Sequence, residues 1–252
     1  MTKNYIITGM LSITLSESIL SQTPEERKNS IEQMKAKEPS KEALERKERS
    51  IKKLRKENVP VLKHLPIIAD STDFKSREVE EVAHRAIAII LAAVKGEGLE
   101  QATVDSLVEK YGAQKFFSPE ELKFIEDKNP TKADRIKFAW RYECGWVLLW
   151  SLGYVESLDK PESICDVTKL VTFLIERDTA QFIKDAKLRP INNILDEADL
   201  IYRYHWATTS ARIKKLKAPA KLDGGVVMER HYALNWLIKY MDQDWDNIST
   251  DT

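Results

Sequence analysis

Apolar residues recur at helical spacing through the chain from about Ser76 onward, and no stretch alternates with period two for more than a few residues. Val79, Val82, Ala83, Ala86, Ile89, Ile90 and Ala93 follow i, i+3, i+4, i+7 spacing, which puts them on one helical face. Gly96 and Gly98 close that helix. Gln101–Tyr111 ends at Gly112. Ser118-Pro119-Glu120-Glu121 is a capping box with proline at the first helical position, and it opens a short helix that stops before Asn129-Pro130. Thr131 begins a long aromatic helix, Asp134 to Leu152, with Gly153 just beyond its end. Two shorter helices follow over Asp166–Glu176 and Asp178–Lys187. A stronger one runs from Ile191 to about Thr208, and a last apolar helix leaves Gly224-Gly225. The pattern predicts an all-α protein with a single multi-helix domain.

Toward the N-terminus the periodicity thins. Thr23-Pro24-Glu25-Glu26 is a second capping box, and the polar helix it starts is broken by Pro39. Ser40 caps another helix, Lys41 to about Asn58, crowded with Glu, Lys and Arg at i,i+4 spacing. Its apolar residues Leu44, Ile51 and Leu54 make a thin stripe, suited to touching one neighbour rather than lying inside a core. Residues 23–45 therefore read as a charged helical extension. Val59-Pro60-Val61 and His64-Leu65-Pro66-Ile67-Ile68 read as an extended connector. Within residues 1–22, Lys3 precedes the apolar run Tyr5–Leu15, and Ser16-Glu17-Ser18 follows. This has the length of a secretory leader's apolar region, but Thr8, Ser12 and Thr14 dilute it. A cleaved leader and a short apolar segment lying on the domain both fit.

Charge and cysteine content narrow the function classes. Lys+Arg and Asp+Glu balance at 40 each, so there is no global field to draw the chain to nucleic acid or an acidic membrane. The basic run Arg46–Lys56 is interleaved with Glu48 and followed by Glu57, as on a solvated face. A nucleic-acid partner is not expected. No apolar run approaches the roughly 20 residues of a membrane span. The two cysteines, Cys144 and Cys165, form no CxxC pair or Cys/His cluster. They read as reduced core residues rather than zinc ligands.

Three helices carry polar residues where core is expected. On the aromatic helix, Glu143 falls at the centre of the arc made by Ile136, Ala139, Trp140, Trp146, Val147 and Trp150. His205 lies inside the arc of the helix from Ile191, and Glu229 and Arg230 lie inside that of the last helix, with His231 at its edge. Buried unpaired, any of these groups costs several kcal/mol, so Glu143 is expected to meet Arg230 or His205 in a shared network. As a site, Glu143 and His205 would be acid and base, with Arg230 holding an anion. As structure, a Glu143–Arg230 ion pair would fix how the helices dock, with His205 hydrogen-bonded beside it. The structural reading is preferred.

The tail Asp242-Gln243-Asp244-Trp245-Asp246 resembles the opening of a calcium loop, but it lacks the glycine and closing glutamate such a loop needs. Asp242, Asp244 and Asp246 are weak metal candidates, better explained by capping. With two tryptophans so near the end, the tail should be docked rather than frayed. The loop Arg212–Lys217 reads as a solvated hinge, with closure over an anionic ligand beside Arg230 as the functional alternative.

Four segments carry a resemblance to a known family: RKERSIKKLRKENVPVLKHLP at Arg46–Pro66, Val79–Ala93 with its EVAHRAIAI core, RIKFAWRYECGWVLLWSLG at Arg135–Gly153, and the pair LDEADLIYRYHWA at Leu195–Ala207 and Val226–Thr252. Together they resemble DUF4272, a mainly bacterial domain of unknown function. The resemblance implies that Arg46–Thr252 is one domain that includes the tail, and that the chain is soluble and cytoplasmic; export is the alternative if residues 1–21 are a cleaved leader. It supplies no activity, cofactor or catalytic residue. The function expected is that of a non-enzymatic helical interaction or regulatory protein, with a protein partner and no cofactor. The alternative is a small-substrate enzyme of hydrolase type built on Glu143, His205 and Arg230.

Overall fold

The structure, a computed structural model, describes residues 39–67 and 76–252, with Thr23, Glu25, Lys28, Asn29 and Phe74. The leader-like segment and nearly all of the helix expected between Thr23 and Pro39 fall outside the described residues. These form an all-α domain without strands: α1 (Lys41–Lys56), α2 (Val79–Gly96), α3 (Gln101–Tyr111), α4 (Pro119–Glu126), α5 (Lys132–Ala139), α6 (Tyr142–Ser151), α7 (Val167–Ile175), α8 (Thr179–Asp185), α9 (Ile191–Ile213) and α10 (Gly224–Leu237). None of these helices is long and apolar enough to cross a membrane.

Local chemistry accounts for the boundaries. Ser118 and Thr131 make capping boxes with Glu121 and Asp134, while Asp166, Asp178 and Asp223 accept hydrogen bonds from the first turns of α7, α8 and α10. Gly112 ends α3 in the left-handed conformation.

Packing proceeds from the centre outward. From Arg85 to Ala93 helix α2 is buried on all sides between α3, α4, α5, α6 and α8, not on the single face its spacing predicts. Ile87, Ala88, Leu91 and Ala92 are also apolar, so the stretch from Ala86 to Ala93 is apolar all round and belongs in a core. Helix α6 joins this group to α10, α10 packs on α9, and α9 packs on α1. The thin stripe of α1 corrects in the same direction: Ile51 and Leu54 are buried, Leu54 within the main core, whereas Leu44 faces solvent.

The long aromatic helix is two helices. Trp140 and Arg141 keep near-helical dihedrals, but the Arg141 amide donates to Phe138 O at 3.0 Å and the Glu143 amide to Trp140 O at 3.2 Å, three-residue bonds that tighten the turn and redirect the chain. The break lies where α5 crosses α2 at Gly96. A Cβ there would sit 2.6 Å from Ala139 N and 2.8 Å from Arg135 O. Gly224 and Gly225 open α10, and Gly225 leaves room for the Trp140 ring, which a Cβ would meet at 2.7 Å.

Because backbone atoms line the Gly96 crossing, Gly96→Ala must push α5 off α2. Overpacking of this kind costs about 1–3 kcal/mol, set against about 1 kcal/mol of gained helix propensity. We expect a lower urea midpoint for Gly96→Ala and little change for Gly225→Ala, where the half-exposed Trp140 can swing away. Equal midpoints for the two variants would contradict this packing account.

Candidate functional site

Helix α10 presents Glu229, Arg230 and His231 in succession, and each meets its own set of partners. Arg230 Nε donates to Glu143 Oε2 at 3.0 Å, and its Nη1 donates to Asp159 O at 2.7 Å in the loop before α7. The other Glu143 oxygen accepts the backbone N–H of Cys165. Glu143 lies in the first turn of α6, where the helix dipole also favours a carboxylate. Both of its oxygens are therefore engaged inside the protein.

Glu229 turns to the start of α6. Its Oε2 accepts from Arg141 Nη1 at 3.0 Å and from the Cys144 thiol at 3.1 Å, and the thiol also lies 3.2 Å from Glu229 O. The Arg141 guanidinium stacks over Tyr232, 4.0 Å from its ring centre. Burial and the facing carboxylate push the Cys144 thiol well above its usual range despite Arg141, so it stays protonated and a poor nucleophile. Burial likewise raises Cys165, reinforced by Glu143.

His231 pairs with His205 of α9, Nδ1 to Nδ1 at 2.8 Å, with the rings edge to face. One imidazole donates and the other accepts, so the contact needs opposite tautomers and cannot survive with both rings charged. Burial, aided by Arg212 and opposed by Asp251, lowers His205 to about 4. Burial and then His205 itself hold His231 well below the usual range, against a favourable contribution from Asn235.

Glu143 thus meets Arg230, as one branch of the expectation had it, while His205 is held by His231 rather than by Glu143. The shared network resolves into three separate pairs. All five side chains are nearly closed to solvent: Glu143 2%, His205 8%, Glu229 6%, Arg230 4% and His231 1% exposed. A crevice beside Arg230, walled by Asp159, Glu197 and Tyr204, has a volume of about 10 Å³, room for a single water. Arg141 and Cys144 had not been singled out for this cluster. On one continuous helix Arg141 and Glu143 would sit about 200° apart, and only the break at Trp140 turns both toward α10.

The tail docks on the outer face of α10. Trp245 packs edge to face on Tyr232 and Trp236, each 5.3 Å away between ring centres. Met241, Gln243 and Trp245 point inward, Asp242 and Asp244 face solvent, and Asp246 accepts from the Glu120 amide at 2.9 Å, at the start of α4. The alternating aspartates thus follow an in–out tail. Among the described residues, no group of three or more His, Cys, Asp or Glu is placed to hold a metal ion.

The family model for the domain of unknown function DUF4272 matches residues 46–248, most of the chain. The chain belongs to the DUF4272 family. No curated protein and no solved structure matches it. The DUF4272 match begins inside α1 and ends in the docked tail, so it takes in all three pairs on α10.

The histidine pair gives the DUF4272 domain a pH-dependent stability. Both folded pKa values lie below the unfolded value of about 6.5, so the unfolded state binds more protons as pH falls. The pair's contribution is complete above about pH 6.5 and declines below it, with a slope of up to about 1.4 kcal/mol per pH unit for each histidine. Urea midpoints should fall between pH 7 and pH 5, and His205→Gln, which keeps a hydrogen-bond partner for His231, should flatten that fall. Identical slopes in the two proteins would refute this assignment.

Proposed function

We propose that the chain is a non-enzymatic helical interaction or regulatory protein whose Glu143–Arg230, Glu229–Arg141 and His205–His231 pairs fix how α10 docks. The observation that carries this reading is the full engagement of Glu143. One oxygen takes the Arg230 guanidinium and the other takes the Cys165 amide, and the crevice beside Arg230, about 10 Å³ among the described residues, is too small for a substrate. The hydrolase reading needs Glu143 and His205 to face one cleft, and the separate partners of the two residues count against it. We place the protein in the cytoplasm, a reading supported by its two cysteines, both buried free thiols, as suits a reducing compartment.

Breaking a buried pair from one side strands a charge at a cost of about 3–5 kcal/mol, whereas replacing both partners with apolar residues of similar volume is often neutral. Glu143→Gln is therefore expected to lower stability by an amount in that range, and Glu143→Met with Arg230→Met should recover most of it. Urea denaturation of the three proteins provides the test. A Glu143→Gln protein as stable as the parent would overturn the structural role and restore the enzyme reading.

A further inference from the structure

The end of α9 carries a feature that the buried pairs do not use. Between Asp199 and Asp223 the sequence has no acidic residue, while Arg212, Lys214, Lys215, Lys217 and Lys221 fall within ten positions. All five are exposed, and none joins an ion pair among the described residues. Glu162, whose carboxyl feels Lys221, is already held by Lys160. A protein with no net charge thus concentrates five exposed cations, outside any ion pair among the described residues, on the tip that ends α9.

The tip is preformed. Lys215 adopts a left-handed backbone with φ 55°, its amide donates to Arg212 O at 3.0 Å, and the Leu216 amide donates to Ala211 O at 2.8 Å. That is the Schellman arrangement, in which the residue after the left-handed position ordinarily packs back on the last turn. Here Leu216 is instead 64% exposed and Ile213 is 74% exposed, the two most exposed large apolar side chains among the described residues. The returning segment of the tip is anchored by buried Leu222, by Lys160 Nζ donating to Ala220 O at 2.7 Å, and by the Asp223 amide donating to Pro161 O at 2.8 Å.

We infer that this tip is a docking site for an anionic lipid bilayer surface. Ile213 and Leu216 would enter the headgroup boundary, and the cations around them would meet acidic headgroups, their aliphatic stems lying along the interface. Nucleic acid fits less well. No aromatic residue lies between Ala207 and Leu222 to stack on a base, and the two apolar side chains would gain nothing against phosphates. Each Lys or Arg near an acidic membrane surface contributes roughly fivefold in affinity, so binding should be reversible and sensitive to salt. This inference concerns a different surface from the pairs on α10 and stands or falls without them.

The test is cosedimentation of the full chain with vesicles of mixed phosphatidylserine and phosphatidylcholine, compared with pure phosphatidylcholine and with duplex DNA. Two variants accompany it: Lys214→Glu/Lys215→Glu/Lys217→Glu and Ile213→Ser/Leu216→Ser. Every altered side chain is exposed, so both should keep the parent's helical signal and melting temperature. The parent should bind the mixed vesicles and release them as salt rises, the charge variant should lose binding, and the apolar variant should weaken it about tenfold or more. Absence of binding would overturn the proposal. So would binding that survives charge reversal, including binding through Tyr5–Leu15. A charge-sensitive interaction that ignores the apolar variant and holds duplex DNA equally well would instead identify a polyanion surface.

Discussion

The docking of α10 against α6 and α9 rests on three consecutive buried side chains. Successive helical residues turn by about 100°, so Glu229, Arg230 and His231 sweep some 200° of the helix surface. Each has its own partners: Arg141 just before α6 and Cys144 in its first turn for Glu229, Glu143 on α6 and Asp159 in the loop after it for Arg230, and His205 on α9 for His231. Sliding α10 by one residue would misplace all three pairs at once. Because stranding a buried charge costs several kcal/mol, the pairs define register and rotation in a way that apolar packing alone, tolerant of volume-conserving exchange, does not.

The helix held in this way organises its surroundings. Its outer face carries Tyr232 and Trp236, on which Trp245 docks, and Arg77 donates to Trp236 O at 2.6 Å while stacking on the same ring. Asn235 donates to Ser249 O at 2.8 Å, bringing the tail back along the helix. Helix α9 shows the contrast between interior and surface within one element. His205 sits in a neutral, sealed pair, and two turns later the helix ends in a fixed cationic tip with its apolar residues turned outward. The chemistry available to a partner lies at that end.

How much of this was legible in the sequence follows from where each determinant resides. The caps at Ser118, Thr131, Asp166 and Asp178 are local hydrogen-bonding patterns, and they mark helix starts in the sequence as they do in space. The DUF4272 resemblance could likewise be read from contiguous segments. Glu143 and Arg230 could be picked out because a charge at the centre of an apolar arc has to be paired. The choice of partner was not legible. It depends on the break at Trp140 and Arg141, whose dihedrals barely leave the helical region and which lies beside a crossing with Gly96, some 45 residues away in sequence. The His205–His231 contact is equally non-local. An imidazole inside one arc and another at the edge of a second give no sign that they will share a hydrogen bond, and Arg141 and Cys144 fall outside the apolar arc of a continuous helix.

The central claim is that Glu143, Arg230 and the Cys165 amide form a sealed unit that opens only when the domain unfolds. Native-state hydrogen exchange at the Cys165 amide, the donor to Glu143, addresses it most directly. The account predicts exchange with the free energy and denaturant dependence of global unfolding. Exchange through a smaller opening, several kcal/mol below the global value and insensitive to denaturant, would mean that the cluster is reached by solvent in the native state and would contradict the account.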